Sequence, residues 1–248
     1  GAVAMGDEVD FYVPTGNFGD VLAGYYAKRL GLPVGRLHVC SNANDVLCDF
    51  LATGTYDRRR PFHKTISPSM DILVSSNLER LLYFASDGDC ELVASLMADL
   101  AEKGAYTVPA PVMDAIRSTF SGGRATDDEC RGTIRRTWER DGVLLDPHTA
   151  VAKTVLDAQE PQGRARVVLA TASPYKFPAE VLAALGEDVA GLDGFAAMDR
   201  LAALTGTEPP APLSALRDRA VRFTEVVDRD AMGAAVERAA GAVFPAGA

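Results

Sequence analysis

The chain has 248 residues, 48% hydrophobic, 24% charged and 7% aromatic, which is the composition of a folded globular protein and excludes disordered, collagenous and coiled-coil classes. With 25 Lys and Arg against 34 Asp and Glu, its formal charge is −9, so its field repels polyanions and no nucleic-acid partner is expected. No apolar run approaches the roughly 20 residues needed to cross a bilayer, and no basic-then-apolar leader opens the chain. No membrane partner is therefore expected. Cys40, Cys48, Cys90 and Cys130 lack any CxxC spacing, which fits free thiols in a reducing, cytoplasmic setting better than a zinc or redox motif.

In chain order, Val9–Val13 reads as a strand, and Pro14-Thr15-Gly16-Asn17-Phe18-Gly19-Asp20 as the turn that ends it. Val21, Leu22, Tyr25, Tyr26 and Leu30 then recur at helical spacing until Gly31 and Pro33. A second strand over Leu37–Cys40 leads to Ser41-Asn42-Ala43-Asn44, whose short polar side chains suit a helix cap, and a helix closed by Gly54. Residues 55–71 read as a loop, and Ile72–Phe84, 89–103, 109–119 and 127–140 as helices, with Ser121-Gly122-Gly123 as a loop between the last two. Val143–Ala150 reads as an extended piece turning into a helix that ends near Gln159, and Arg166–Ala170 as a third strand. The Ala-rich remainder from Ala179 is helical with breaks at Gly186, Gly191 and Pro209-Pro210-Ala211-Pro212. Alternating strands and helices predict an α/β fold with a parallel sheet. The expected division is an α/β domain over residues 1–186 and a helical tail over 187–248 that packs on it.

Three places carry candidate chemistry. The Gly16-to-Gly19 turn sits between a strand and a helix, where backbone N–H groups and the helix N-terminus suit a phosphate. It is neither a Walker A loop nor GxGxxG, and an unliganded tight turn is the plain alternative. Thr171 and Ser173 follow the third strand, where ligands gather in open α/β sheets, although on the residues alone Ser173-Pro174 reads first as a simple turn. His148 in Asp146-Pro147-His148-Thr149 is either an acid-base group or a packed histidine. With His38 and His63 distant in sequence, no metal site is expected. Arg58-Arg59-Arg60 reads as a solvated charged loop, while Ser67, Ser69 and Asp71 stay open.

Taken together, Val13–Tyr25, Ser41–Leu47, Thr65–Leu82, Asp146–Ala150 and Ala170–Pro178 closely resemble threonine synthase, in that family's order and over roughly residues 8–190. The resemblance implies a tryptophan-synthase-like, fold type II architecture: three layers, with a parallel sheet between helices. It also implies pyridoxal 5'-phosphate as cofactor and conversion of O-phospho-L-homoserine and water to L-threonine and phosphate. Gly16, Asn17, Phe18, Gly19 and Asp20 match the family's cofactor-phosphate loop. Thr171 matches the hydroxyl that meets the pyridine nitrogen, with Ser173 as the second candidate. For Ser67, Ser69, Asp71, Asn77 and Arg80 the resemblance implies proximity to the active site without individual contacts.

The family's Schiff-base lysine precedes the glycine loop, and Lys28, Lys64, Lys103, Lys153 and Lys176 lie in other contexts. No catalytic residue is therefore assigned here. The chain, which starts at Gly1 without Met, is expected to be the C-terminal portion of such an enzyme and inactive alone. A sister dehydratase or sulfhydrylase, or a non-catalytic phosphate-binding module, are the competing readings, and the oligomeric state is unassigned.

Overall fold

The computed structural model describes residues 3–243. These fall into two compact units, one running to Pro210 and the other starting at Ala211.

The first unit is built on four parallel strands. β1 (Val9–Pro14) pairs with β2 (Val34–Ser41), and the two are joined through helix α1 (Gly19–Arg29). Beyond β2 come α2 (Val46–Thr53), β3 (Thr55–Asp57), α3 (Leu78–Ala85), α4 (Cys90–Glu102), β4 (Ala105–Thr107) and α5 (Ala110–Arg117). Then β5 (Phe120–Arg124) joins the far side of β2, and α6 (Asp127–Asp141) and α7 (Pro147–Asp157) lead back to β6 (Ala165–Val168) beside β1. The strand order is β5-β2-β1-β6, with β3 and β4 forming a separate antiparallel pair. Helices α8 (Pro178–Ala184) and α9 (Gly194–Thr205) pack on each other at the end of this unit.

Right-handed crossovers explain the layering. The steps from β1 to β2 to β5 all move one way across the sheet, so their helices share a face, and the return from β5 to β6 puts α6 and α7 on the other. Two adjacent glycines of β5 record both layers. A Cβ on Gly122 would lie 3.1 Å from Cα of Cys48 in α2, and one on Gly123 would lie 2.4 Å from Cγ1 of Val155 in α7. The three-layer parallel sheet expected from the sequence is thus present.

The main apolar cluster joins Val13, Leu37, Val39 and Phe120 of the sheet to Val21 and Leu22 of α1, Leu47 and Phe50 of α2, and Leu78, Leu81 and Leu82 of α3. Burial of such side chains is worth about 1.5–3 kcal/mol each and is what holds the strands in register. The layer toward α7 is more polar. There Tyr12 stacks on His38 with ring centroids 4.0 Å apart, and the Tyr12 hydroxyl donates to Oε1 of Gln159 at 2.9 Å.

Several local expectations are corrected. Residues 121–123 form the middle of β5 instead of a loop; glycine is required because helices press on both faces, and its poor strand propensity hides the strand. The helix expected from Ile72 begins only at Leu78, because Tyr56 holds the preceding segment open: its hydroxyl donates to the Leu73 carbonyl and accepts from the Ser75 N–H. Asn42 and Asn44 do not cap α2, whose N-cap position is Asp45; both side chains reach across to the 63–71 loop instead.

The second unit comprises α10 (Ala211–Ser214), 3-10 turns at Ala215–Asp218 and Arg229–Ala231, and α11 (Met232–Val243). Among its described residues none is buried, and Val221, Phe223 and Val226 are exposed. The end of the expected helical tail, residues 244–248, lies outside the described residues.

Candidate functional site

The direction of chain travel across the sheet reverses at β1, which has β2 on one side and β6 on the other. In open α/β sheets the crevice at the carboxyl ends of the strands flanking such a reversal is where ligands bind. A cavity of about 200 Å³ lies there, lined by Pro14 at the end of β1, by Gly16, Asn17 and Asp20 after it, and by Thr171 and Ala172 after β6. Ser69, Met70, His148 and Lys176 complete its wall.

The turn after β1 is held from outside the cavity. Phe18 takes the left-handed conformation at φ 67° and is buried, its ring 5.6 Å from that of Phe120, so the turn is anchored in the core. The Ser75 hydroxyl donates to the Gly16 carbonyl at 2.9 Å, and Asn77 Nδ2 donates to the Asn17 carbonyl at 2.8 Å. The Gly19 N–H is taken by Asn17 Oδ1 at 2.9 Å, but no side chain caps α1. The Leu22 N–H bonds the Phe18 carbonyl at 3.1 Å, which leaves the N–H groups of Asp20 and Val21 in the first turn to meet an anion. Gly16 is needed for packing: a Cβ there would fall 3.0 Å from Cα of Met70 and 3.1 Å from Cδ1 of Ile72.

Asp20 brings a carboxylate to the same wall, and its partial burial raises its pKa above the ordinary value. Lys176, at the end of a 3-10 turn (Pro174–Lys176), is the cation among the lining residues, and its ammonium lies 5.7 Å from the Phe177 ring centre.

The loop before α3 is pinned by a buried polar cluster. Asp71 Oδ1 accepts from Asn42 Nδ2 at 2.9 Å, from Asn44 Nδ2 at 3.0 Å and from the Thr65 hydroxyl at 2.7 Å, while Oδ2 takes the Thr65 N–H at 3.0 Å. Ser67 is buried within this cluster, accepting from Asn42 Nδ2 at 3.0 Å. Asp71 and Ser67 thus serve as anchors, and Ser69 is the member of the trio that reaches the cavity. Asn77 supports the glycine turn and accepts in turn from Arg80.

The other candidates separate cleanly. Thr171 lines the cavity, whereas the Ser173 hydroxyl accepts from the Tyr175 N–H at 3.3 Å and shapes the turn that follows. His148 is buried at the start of α7, with Nδ1 3.1 Å from Asp146 Oδ1 and Nε2 accepting from the Ser69 N–H at 3.2 Å. It is a packed histidine that also meets the cavity. The three arginines are not free: Arg59 pairs with Asp57, Arg60 with Asp45 and Asp49, and Arg58 donates to the Ala101 carbonyl. Lys28 donates to the carbonyls of Val34 and Gly35, Lys103 pairs with Asp99 and Lys153 with Asp157. The place of Lys176 on the cavity wall was not legible, because only the fold of the Pro174–Phe177 turn swings it there.

Comparisons with known proteins place this geometry. Residues 149–239 match the family model "Threonine synthase, C-terminal". The crystal structure of pyridoxal-phosphate-bound threonine synthase from Brucella melitensis superposes with a TM-score of 0.77 at 42% identity, over 90% of this chain and 44% of that one. Over the part they span, these matches make the chain similar to threonine synthases. Threonine synthase from yeast superposes at 0.78 with 31% identity, over 93% of this chain and 47% of its own. Threonine synthase-like 1 of Pongo abelii is 38% identical over 186 residues, which are 75% of this chain and 25% of that protein. The chain therefore spans between a quarter and a half of the length of these relatives. The fold type II architecture expected from the resemblance agrees with these threonine synthase structures.

Proposed function

We propose that this chain supplies the cofactor-phosphate cradle and the ring-nitrogen contact of a pyridoxal-phosphate enzyme of threonine synthesis. The reaction of that enzyme is conversion of O-phospho-L-homoserine and water to L-threonine and phosphate. The observation that carries the reading is the convergence of the Gly16–Asp20 turn and Thr171 on one crevice at the reversal point of the sheet.

The residues present suit a phosphorylated, flat cofactor. The turn at Gly16 leaves no room for a Cβ, and the uncapped start of α1 offers N–H groups and partial positive charge to a phosphate. Thr171, three residues beyond the neighbouring strand β6, offers a hydroxyl across the same crevice. Bound there, pyridoxal 5'-phosphate supplies an electron-withdrawing ring that stabilises negative charge developing on substrate carbons. Thr171 orients the ring and, being a hydroxyl and not a carboxylate, leaves the ring nitrogen less fully protonated. Lys176 brings positive charge to the wall, which favours an anionic substrate.

Lys28, Lys103 and Lys153 are engaged with carbonyls or carboxylates elsewhere, so we assign none of them a covalent role. By this reading the chain alone does not turn over substrate. The test is release of threonine and phosphate from O-phosphohomoserine with added cofactor. This chain alone is compared with one polypeptide that also carries the remaining part of a threonine synthase. Activity is expected only in the longer polypeptide. Borohydride reduction followed by peptide mapping checks the lysine assignment, and stoichiometric labelling of Lys176 together with turnover by this chain alone would overturn it.

A further inference from the structure

His148 does more than fill space at the start of α7. Its ring is buried at 3% exposure, packed 4.7 Å from the Phe177 ring, and both nitrogens are engaged. Asp146 Oδ1 lies 3.1 Å from Nδ1 and also accepts the backbone N–H groups of His148 at 2.8 Å and Thr149 at 3.3 Å. Its other oxygen accepts the Thr149 hydroxyl. An ionised carboxylate only accepts, so the proton sits on Nδ1 and Nε2 keeps its lone pair. That lone pair receives the Ser69 N–H at 3.2 Å.

The residue after Ser69 is Met70, whose Cα stands 3.0 Å from where a Gly16 Cβ would be. The segment is thus pinned on both sides of its closest approach to the glycine turn, by Asp71 through Asn42, Asn44 and Thr65, and by His148 through the Ser69 amide. We infer that His148 is a positioning residue: through Asp146 it is fixed as the Nδ1–H tautomer, and through the Ser69 amide it sets the distance between the Met70 backbone and the Gly16 cradle. It acts on the cofactor phosphate without touching it. This rests on the reading of the Gly16–Gly19 turn as the phosphate cradle.

The acceptor at the Nε2 position is the testable element. His148→Gln places a carbonyl near that position, His148→Asn places one nearer Nδ1, and His148→Phe supplies none. Two readouts separate the inference from the cofactor reading: amide exchange of the peptide covering residues 66–72, and affinity for pyridoxine 5'-phosphate, which has no aldehyde to react with surface lysines. Wild type and His148→Gln should protect the peptide alike, whereas His148→Asn and His148→Phe should exchange it roughly tenfold faster and bind the ligand roughly tenfold more weakly. Equal protection in the Gln and Asn variants, or unchanged exchange in the Phe variant, would overturn the inference. Because Gln and Asn differ by one methylene, their comparison stands even if the Phe variant loosens the whole unit. Should the peptide respond as expected while no variant, nor the wild type, binds the ligand, His148 keeps its role and the cofactor reading falls.

Discussion

A methyl group on Gly123 would fall 2.4 Å from Cγ1 of Val155, with Cγ2 at 3.3 Å, so the strand β5 and the helix α7 meet where only glycine fits. Gly123→Ala should destabilise the first unit by about 1–3 kcal/mol, because the strain falls on a β-branched side chain in a packed layer. Val155→Ala opens the facing space, so the double variant should be more stable than the sum of the two single costs. Urea unfolding of the four proteins checks this, and strict additivity would contradict the close approach.

His38 offers a pH test. Its Nδ1 is 2.7 Å from the Ser121 hydroxyl, its ring stacks on Tyr12, and Nε2 is buried with no hydrogen-bond partner among the described residues. Burial, with the nearby Arg36 and Arg166 adding to it against the opposing pull of Asp10, lowers its pKa from 6.5 to about 4. The folded chain therefore refuses a proton that the unfolded chain accepts below about pH 6.5. Stability should fall as pH drops from 6.5 toward 4, by no more than about 3 kcal/mol from this group, and level off below. His38→Gln should flatten that part of the stability profile relative to wild type. A profile unchanged by the substitution would show that His38 titrates alike in both states.

Much of this fold is legible in the sequence where one physical signal dominates. Val9–Val13 alternates cleanly, and Pro14 to Asp20 combines turn residues with a helix start, so both strand and turn stand out. β5 escapes because Gly122 and Gly123 are chosen by interlayer distance, a tertiary constraint that reads locally as a loop. Asn42 and Asn44 mislead for a related reason: their side chains suit a cap but are drawn to Asp71, 27 or more residues away. Within the site, Gly16–Asp20 and the Thr171–Ser173 stretch stand out by following strand ends, whereas the choice of Thr171 over Ser173 came from the resemblance to threonine synthase. The partnership of His148 with Ser69 spans 79 positions and becomes visible only when α7 and the 63–71 loop meet.

Thr171 and Ser173 make distinct predictions. Thr171→Val keeps the shape but removes the hydroxyl on the cavity wall, and should weaken pyridoxine 5'-phosphate binding roughly three- to tenfold, with Thr171→Ser restoring most of it. Ser173→Ala removes the hydroxyl that accepts the Tyr175 N–H and should lower the melting temperature while leaving affinity within about twofold of wild type. Calorimetric titration and thermal melts of the three variants decide between the two hydroxyls. The reverse pattern would move the ring contact to Ser173.

The central claim is that the Gly16–Gly19 turn binds the phosphate of the cofactor. The most direct measurement is a calorimetric comparison of pyridoxine 5'-phosphate with pyridoxine, on wild type and on Gly16→Ala. The alanine variant sets a methyl group 3.0 Å from the Met70 backbone. The expected result is binding of the phosphorylated ligand at least about tenfold tighter than of pyridoxine, with that advantage lost in Gly16→Ala. Equal affinity for the two ligands, or an advantage that survives in Gly16→Ala, would contradict the claim.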